Sequence, residues 1–255
     1  MPVLGIDIGG SGIKAGLVDV DKGTIMGAPL EIATPRPATP RAIAAQVAQL
    51  VSTLNWQGCV GIGFPAVIRD GVVGTAVNVD NSWIGVDAAE LFGNAIPGAC
   101  MVINDADAAG LAEMRFGVGQ GNDATVLVLT LGTGIGSALF YRQRLFPNLE
   151  LGSFPLKGIS AEEYAAASVR KRENLSWEEW GGRLNEFFGP VERLLSPEMI
   201  IIGGGVSQRS DRFFPYLKTR ARLVPAKLLN GAGIVGAACH AAIIDHGDFQ
   251  SLLPI

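Results

Sequence analysis

The sequence predicts an α/β protein with two related lobes, because a strand–turn–strand hairpin occurs twice. The stretch VLGIDIGGSGIKAGLVDVDKG, which starts at Val3, contains an apolar strand, a glycine-rich turn and a second, alternating strand. The stretch VLVLTLGTGIGSALFYRQRL, which starts at Val126, has the same layout. A repeat of this size indicates two lobes of similar construction rather than a solenoid.

A third glycine cluster follows the two hairpins, and the three together indicate the kind of ligand that the turns bind. The stretch MIIIGGGVS, from Met199, is a buried strand followed by glycines, and the helix-like stretch QRSDRFFPYLKTRA comes next. A single glycine turn is most often an ordinary hairpin, and a dinucleotide fold would need a helix after the first turn, where a strand is predicted. Three such clusters together favour phosphate binding.

Composition narrows the functional classes. The chain has 255 residues, 48% of them hydrophobic, with a mean hydropathy of +0.32, so it can bury a large core and is not disordered. Its net charge of −4 provides no general basic field, which argues against nucleic acid as a partner.

The cysteines and the apolar segments point to the cytoplasm. Cys59, Cys100 and Cys239 are far apart and lie outside any CxxC spacing, which argues against a disulfide scaffold and against structural zinc. No apolar run reaches the roughly 18 residues typical of a membrane span, and no leader segment precedes the first strand. We therefore expect a cytoplasmic protein without membrane association.

The stretch INDADAAGLAEMRFG contains the strongest candidate catalytic group. A short strand ends at Asn104 and Asp105, and a helix is predicted to begin between Asp105 and Asp107. One of the two aspartates is expected to cap the helix. A carboxylate at the end of a strand can instead accept the proton of a hydroxyl that attacks phosphorus, and Asn104 can orient other hydroxyls.

With these segments in order, the chain resembles the ROK family of sugar kinases, and within it the polyphosphate glucokinases. The resemblance spans nearly the whole chain. It rests on the stretches DIGGSGIK, TAVNVDNSWIG, INDADAAGLAEMRFG, TLGTGIGSALF, PNLELG, LSWEEW, SPEMIIIGGGVS and NGAGIVGAA.

This resemblance implies an actin-like ATPase (ribonuclease H-like) α/β fold with two lobes and a central crevice. Residues 1–103 would form the small lobe, completed by a C-terminal helix at 231–247, and residues 104–230 the large lobe. The implied reaction makes glucose 6-phosphate from glucose with inorganic polyphosphate as donor and ATP as an alternative donor. Mg²⁺ is the implied cofactor, no zinc is implied, and a cytoplasmic homodimer is expected.

The resemblance also implies roles for individual residues. Asp105 would be the general base, and Asp7 would hold Mg²⁺ through water. The sugar would be bordered by Pro65, Ala66, Asn78, Asn104, Asp105, Glu150 and Glu162. The phosphates of the donor would be bound by Asp7, Gly9, Gly10, Ser11, Gly12, Lys14, Gly132, Thr133, Gly134, Gly203, Gly204 and Gly205.

Two departures from the family pattern concern the sugar site. The family's Glu-x-Gly-His is Glu150-Leu151-Gly152-Ser153 here, so a short hydroxyl replaces an imidazole that faces the sugar. The Cys-rich zinc motif of many members is missing, which is typical of the polyphosphate subgroup. Because the imidazole is lost at Ser153, a sugar-binding pseudokinase is a rival interpretation, which the presence of Asp7, Lys14 and Asp105 argues against.

Three more rival interpretations are an ATP-dependent ROK glucokinase or hexokinase, a ROK regulator without its DNA-binding module, and a filament-forming actin relative. The basic pairs Arg142/Arg144 and Arg220/Arg222 are either solvated charges or a track for a polyanion. In the stretch LSWEEWGGRLNEFF, the residues Trp177, Trp180, Leu184 and Phe188 predict a helix face buried against a second copy of the chain or in the core.

Overall fold

The computed structural model of the protein describes residues 1–245. The strands, in chain order, are β1 (Pro2–Ile8), β2 (Gly12–Asp19), β3 (Thr24–Ile25), β4 (Leu30–Ala33), β5 (Val60–Phe64), β6 (Ile68–Arg69), β7 (Val72–Val73), β8 (Cys100–Asn104), β9 (Thr125–Leu131), β10 (Ile135–Tyr141), β11 (Arg144–Phe146), β12 (Pro155–Leu156), β13 (Ile159–Ser160), β14 (Met199–Gly203) and β15 (Arg222–Pro225). The α-helices are α1 (Pro40–Thr53), α2 (Ala88–Ala95), α3 (Asp105–Phe116), α4 (Ala161–Ala165), α5 (Ala167–Arg172), α6 (Trp177–Leu195), α7 (Ser210–Phe213) and α8 (Ala232–Asp245). The last two residues of the C-terminal helix predicted at 231–247 lie outside the described part of the chain.

The chain divides into two compact units. Within the described residues, the first unit contains Met1–Ala112 together with residues 231–245, and the second contains Glu113–Asn230. The lobe boundary predicted at 103/104 falls at the start of α3, whereas this division falls inside that helix. No helix within residues 1–245 is both long and apolar enough to cross a bilayer.

Each unit contains a sheet with the same strand plan. The first has the order β3-β2-β1-β5-β8, with β4 also paired to β2, and the second has the order β11-β10-β9-β14-β15. In both, the central strand is antiparallel to its hairpin partner and parallel to the next two strands in turn. The internal repeat predicted from the two glycine hairpins is therefore confirmed at the level of topology.

Two helices show how local sequence sets where a helix begins and which face it buries. Thr39 caps α1, and the helix buries Ile43, Val47 and Val51, as its apolar spacing predicts. In α6, Ser176 and Glu179 form a reciprocal capping box.

The buried face of α6 belongs to the core of the second unit. Trp180, Leu184 and Phe188 are fully buried among Leu129, Ile200 and their neighbours. The core interpretation of this face is therefore the one that the structure shows, and these side chains are not available to a second copy of the chain. The first unit has its own core, centred on β1, β5, α1 and α2.

The segment after the third glycine cluster is less helical than its sequence suggests. It forms a 3-10 helix (Gly205–Arg209), the single turn α7 and a second 3-10 helix (Phe214–Tyr216). Pro215 lacks the amide proton that a continuing helix needs, which explains why no longer helix forms here.

Helix α8 packs with its backbone directly against the first sheet. A Cβ atom on Gly5 would overlap the carbonyl group of Ile234, and one on Gly61 would overlap the backbone of Ala237. On another face of the helix, a Cβ on Gly236 would overlap the backbone of Ala108 in α3. Glycine is therefore required at these three positions by space rather than by backbone torsion.

We predict that Gly61→Ala lowers the free energy of unfolding by about 3 kcal/mol, because the methyl group must push α8 away from β5. Urea denaturation followed by circular dichroism measures the effect. Gly93→Ala in α2 is the matched control: no atom lies within 4 Å of the added methyl, so alanine should leave stability equal or raise it by up to about 1 kcal/mol. Equal midpoints for the Gly61 variant and the wild type would contradict the packing described here.

Candidate active site

The first glycine turn is fastened by a residue that sequence reasoning missed. The amide of Gly9 donates to the carbonyl of Gly12 at 2.9 Å, which closes the turn. The hydroxyl of Thr34, a buried residue, donates to the carbonyl of Gly9 at 2.6 Å, and the Thr34 amide donates to the carbonyl of Ser11 at 3.3 Å. Thr34 thus ties the turn to β4. The predicted sugar residue Asn78 lies beside the first glycine turn, since its Cβ is 4.0 Å from the position that a Cβ on Gly10 would occupy.

Asp7 lies near the end of β1, where burial favours the neutral form of its carboxyl group. It is paired with Lys14 across the β1–β2 ladder, and Gly233 in the first turn of α8 approaches its carboxylate so closely that a methyl there would overlap it. Burial raises the pKa of Asp7 from 3.8 to about 6, and the charge of Lys14 opposes this only in part. The site therefore holds a carboxylate at a cost in folding free energy, a feature common at functional sites.

Asn104 and Asp105 occupy the same edge of the first sheet as Asp7. Strands β1, β5 and β8 are parallel neighbours, so their carboxyl ends coincide. Helix α3 begins at Asp105, within the predicted range. Asp105 is half-buried, and one of its carboxylate oxygens accepts from the amide of Ala106 at 2.8 Å.

The buried amide of Asn104 organises this edge. Its oxygen accepts from the amides of Ala106 and Asp107 at 2.9 and 3.0 Å, so Asn104 caps α3. Its nitrogen donates to the carbonyl of Ala66 at 3.0 Å. Asn104 thus links the Pro65–Ala66 turn to the helix that carries Asp105, a role that the sequence did not indicate.

Glu162, one of the two predicted sugar glutamates, lies in the second unit next to Gly152, which follows the other, Glu150, by two residues. A Cβ on Gly152 would overlap the carbonyl of Ile135 and lie 3.3 Å from a carboxylate oxygen of Glu162. The same oxygen of Glu162 accepts from the amide of Ile135 at 3.3 Å. Glycine two positions after Glu150 is therefore required by the close packing of this segment against the start of β10 and against Glu162 in α4. Burial is the main cause that raises the pKa of Glu162.

Ser137 is a second anchor that sequence reasoning missed. Its buried hydroxyl donates to the carbonyl of Leu149 and accepts from the amide of Leu151 at 3.0 Å. These are the residues on either side of Glu150, so one hydroxyl on β10 holds the backbone of that glutamate from both directions. Ser153, where the family carries histidine, is exposed, and its amide donates to the carbonyl of Glu150 at 3.1 Å.

The second glycine turn is closed like the first. The amide of Gly132 donates to the carbonyl of Gly134 at 3.0 Å, and Ser168 in α5 bonds to the turn through its amide and its hydroxyl. A Cβ on Gly132 would meet no atom within 4 Å.

The three glycines of the third cluster have different reasons to be glycine. Gly204 has a φ of +79°, and a Cβ there would overlap the backbone of Leu131. A Cβ on Gly203 would make ordinary contacts, and one on Gly205 would have its nearest neighbour at 3.9 Å. The backbone of Gly132 and Gly205 is thus open to a ligand.

The hypothesis of a polyanion track along Arg142/Arg144 and Arg220/Arg222 is wrong in its placement. Arg144 pairs with Tyr141, opposite Thr125 at the start of β9, and Arg222 pairs with Met199 at the start of β14. The glycine turns follow the other ends of these strands, which at the usual rise per residue is about 20 Å along β9 and about 13 Å along β14. The two pairs also lie on opposite edges of the sheet.

A family model described as the ROK family matches residues 3–148 of the chain. A polyphosphate glucokinase of Mycobacterium tuberculosis (strain ATCC 25177 / H37Ra) is 45% identical over 235 residues, which cover 92% of this chain and 89% of that protein.

Two solved structures are similar throughout. The inorganic polyphosphate/ATP-glucomannokinase of Arthrobacter sp. strain KM matches with a TM-score of 0.93 and 48% identity, covering 95% of this chain and 99% of that one. A ROK family glucokinase from Streptomyces griseus in complex with glucose and AMPPNP matches with a TM-score of 0.77 and 25% identity, covering 95% and 99%.

We predict that Asp7→Asn stabilises the protein at neutral pH. The folded state holds a proton on Asp7 up to about pH 6, whereas the unfolded chain releases it near pH 4. Between these values the folded state binds more protons, so this group's contribution to stability falls as the pH rises and stays low above pH 6. The amide removes this penalty, worth roughly 3 kcal/mol at pH 7.5, a value that already contains the attraction of Lys14.

Thermal unfolding at pH 7.5 and pH 4 tests this prediction. The variant should melt several degrees above the wild type at pH 7.5, and the difference should shrink at pH 4. Glu90→Gln, an exposed carboxylate on α2, should change neither value by more than about one degree. An equal or lower melting temperature for Asp7→Asn at pH 7.5 would contradict the burial argument.

Proposed function

The chain belongs to the ROK family, and we propose that it transfers a phosphoryl group from inorganic polyphosphate to the 6-hydroxyl of glucose. The α/β fold expected of that family is confirmed, and the similarity to the mycobacterial polyphosphate glucokinase extends over nearly the whole chain. The observation that carries the chemistry is the half-buried Asp105 at the carboxyl edge of β8, where Asn104 anchors the helix that follows.

In this proposal Asp105 is the general base. Its carboxylate accepts the proton of the sugar hydroxyl while the hydroxyl oxygen attacks phosphorus, and the remainder of the donor leaves with the electron pair of the broken P–O bond. Asn104 is a positioning residue as well as a sugar neighbour, because its amide joins the Pro65–Ala66 turn to α3. Such fixed geometry supplies much of the rate in phosphoryl transfer.

The remaining sugar contacts are assigned to Asn78, Glu150 and Glu162. Support for the two glutamates comes from the way Ser137 fixes the backbone on both sides of Glu150 and Gly152 packs next to Glu162 in the second unit. Carboxylates accept hydrogen bonds from several sugar hydroxyls at once, which gives orientation as well as affinity.

The donor phosphates are assigned to the glycine turns, with Lys14 and Mg²⁺ neutralising charge. Mg²⁺ commonly uses one or two carboxylates together with substrate phosphates and water. Asp7 fits that use: it is a single half-buried carboxylate beside the first turn, and residues 1–245 contain no cluster of three metal-ligating side chains. When bound, the ion would shield the charge that develops on the phosphates.

An ATP-dependent glucokinase is the second candidate. It is favoured by the similarity to the Streptomyces griseus enzyme, whose structure contains glucose and AMPPNP. A cytoplasmic location and a homodimer, both expected from the sequence, stay predictions, and light scattering on purified protein tests the second.

We predict that the wild-type protein with Mg²⁺ forms glucose 6-phosphate from glucose with long-chain polyphosphate, and more slowly or at higher KM with ATP. Asp105→Asn should lower kcat at least ~10²-fold with either donor, the scale expected when a general base is lost. A coupled dehydrogenase assay measures both. Asp123→Asn, an exposed carboxylate in the second unit, is the control and should retain normal turnover.

Activity with ATP alone would replace the polyphosphate proposal by the second candidate. A folded Asp105→Asn variant with near-normal turnover would remove Asp105 from its role as base.

Ser153→His should lower the KM for glucose several-fold, because it restores an imidazole that can hydrogen-bond the sugar, while the exposed position lets the larger ring fit. Ser153→Asn is the size control and should change KM less. An unchanged KM and an unchanged ratio of glucose to mannose use would show that this position does not contact the sugar.

A further inference from the structure

A pocket of about 600 Å³ lies in the second unit, between the second glycine turn, α5 and the third glycine cluster. Its lining includes two glycines, three cationic side chains and one aromatic ring: Gly132, Gly205, Arg170, Lys171, Arg209 and Trp177. Only the glycine side of this pocket is expected from the sequence. The cationic side comes from α5 and from the segment after the third cluster.

The lining is strongly positive. Arg170, Lys171 and Arg209 contribute three positive charges, and none of the lining residues is acidic. No ion pair joins any of the three to a carboxylate within residues 1–245. Elsewhere on α5, by contrast, Arg172 is paired with Glu173 at 3.1 Å. Uncompensated cations around a cavity attract a ligand that carries several negative charges.

Arg170 is held in place by stacking. Its guanidinium carbon lies 3.5 Å from the centroid of the Trp177 ring, and that ring in turn stacks on Phe213 at a centroid distance of 6.0 Å. The Nε atom of Arg170 is buried and has no hydrogen-bond partner among the described residues. A buried donor without an acceptor is costly, so the structure holds the guanidinium against Trp177 at a cost in free energy.

The same stack affects which ligand fits. A nucleotide base binds well on an uncovered aromatic face. The guanidinium of Arg170 already covers one face of the Trp177 ring, so a base cannot stack on that face. Phosphate oxygens are suited to a planar guanidinium, which donates hydrogen bonds in a fixed fork. On the opposite wall, Gly132 and Gly205 leave their backbone open to close approach.

We propose that this pocket binds the non-transferred phosphates of an inorganic polyphosphate chain, and that Arg170 is the residue that favours polyphosphate over a nucleotide. The inference rests on the proposed function and deepens it, because it identifies where the extended part of the donor lies. Arg170 is a specificity residue here and takes no part in the proton transfer assigned to Asp105.

Arg170→Gln tests the inference, with Arg172→Gln on the same helix as the matched control. Arg170→Gln should raise the KM for long-chain polyphosphate at least ~10-fold, the scale of one charged hydrogen bond, and change the KM for ATP less than about twofold. The KM for glucose should stay constant in both variants. Arg170→Lys keeps the charge but loses the fork, and should recover only part of the affinity.

Direct binding separates this inference from the proposed function. Calorimetry with polyphosphate and no glucose should show weaker binding by Arg170→Gln and a smaller dependence of Kd on salt. If the wild type binds polyphosphate through Arg170 but cannot phosphorylate glucose with it, the proposed function fails and the pocket assignment stands. Unchanged polyphosphate affinity in a folded Arg170→Gln variant, or equal losses with ATP and polyphosphate, would overturn the assignment.

Discussion

The close approach of the α8 backbone to the first sheet is the constraint on which the rest of that unit depends. At Gly5 and Gly61 the helix lies where any side chain would overlap it, and at Gly236 it meets α3 equally closely. This contact places the first turn of α8 against Asp7 and fixes the side of α3 next to Asp105. The position of the proposed base therefore follows from backbone packing that only glycine allows.

Single buried polar groups hold the loops that carry the candidate site. The hydroxyl of Thr34 fastens the first glycine turn, the amide of Asn104 fastens the start of α3, and the hydroxyl of Ser137 fastens both sides of Glu150. A buried group that lost such a partner would cost about 1–3 kcal/mol, so each of these bonds strongly favours one loop conformation. Loops held in this way lose little further freedom when a substrate binds.

The electrostatic character of the two units differs in a way that suits phosphoryl transfer. The first unit keeps Asp7 in surroundings that raise its pKa to about 6, which lowers stability at neutral pH. The second unit collects Arg170, Lys171 and Arg209 around one pocket without acidic partners. Both arrangements are unfavourable in the absence of a ligand, and both become favourable when a cation or a polyanion binds.

Local sequence alone determined the two glycine hairpins, the apolar face of α1 and the start of α3 at Asp105, because strand alternation, helical spacing and capping depend on near neighbours. It could not place the basic pairs at Arg142 and Arg220, which lie at the wrong ends of their strands, or find Arg170 as part of a pocket. Strand register and the pairing of distant segments decide which side chains meet, and these depend on the burial of the whole core. Only the tertiary structure could therefore bring Arg170 to Gly132 and Gly205.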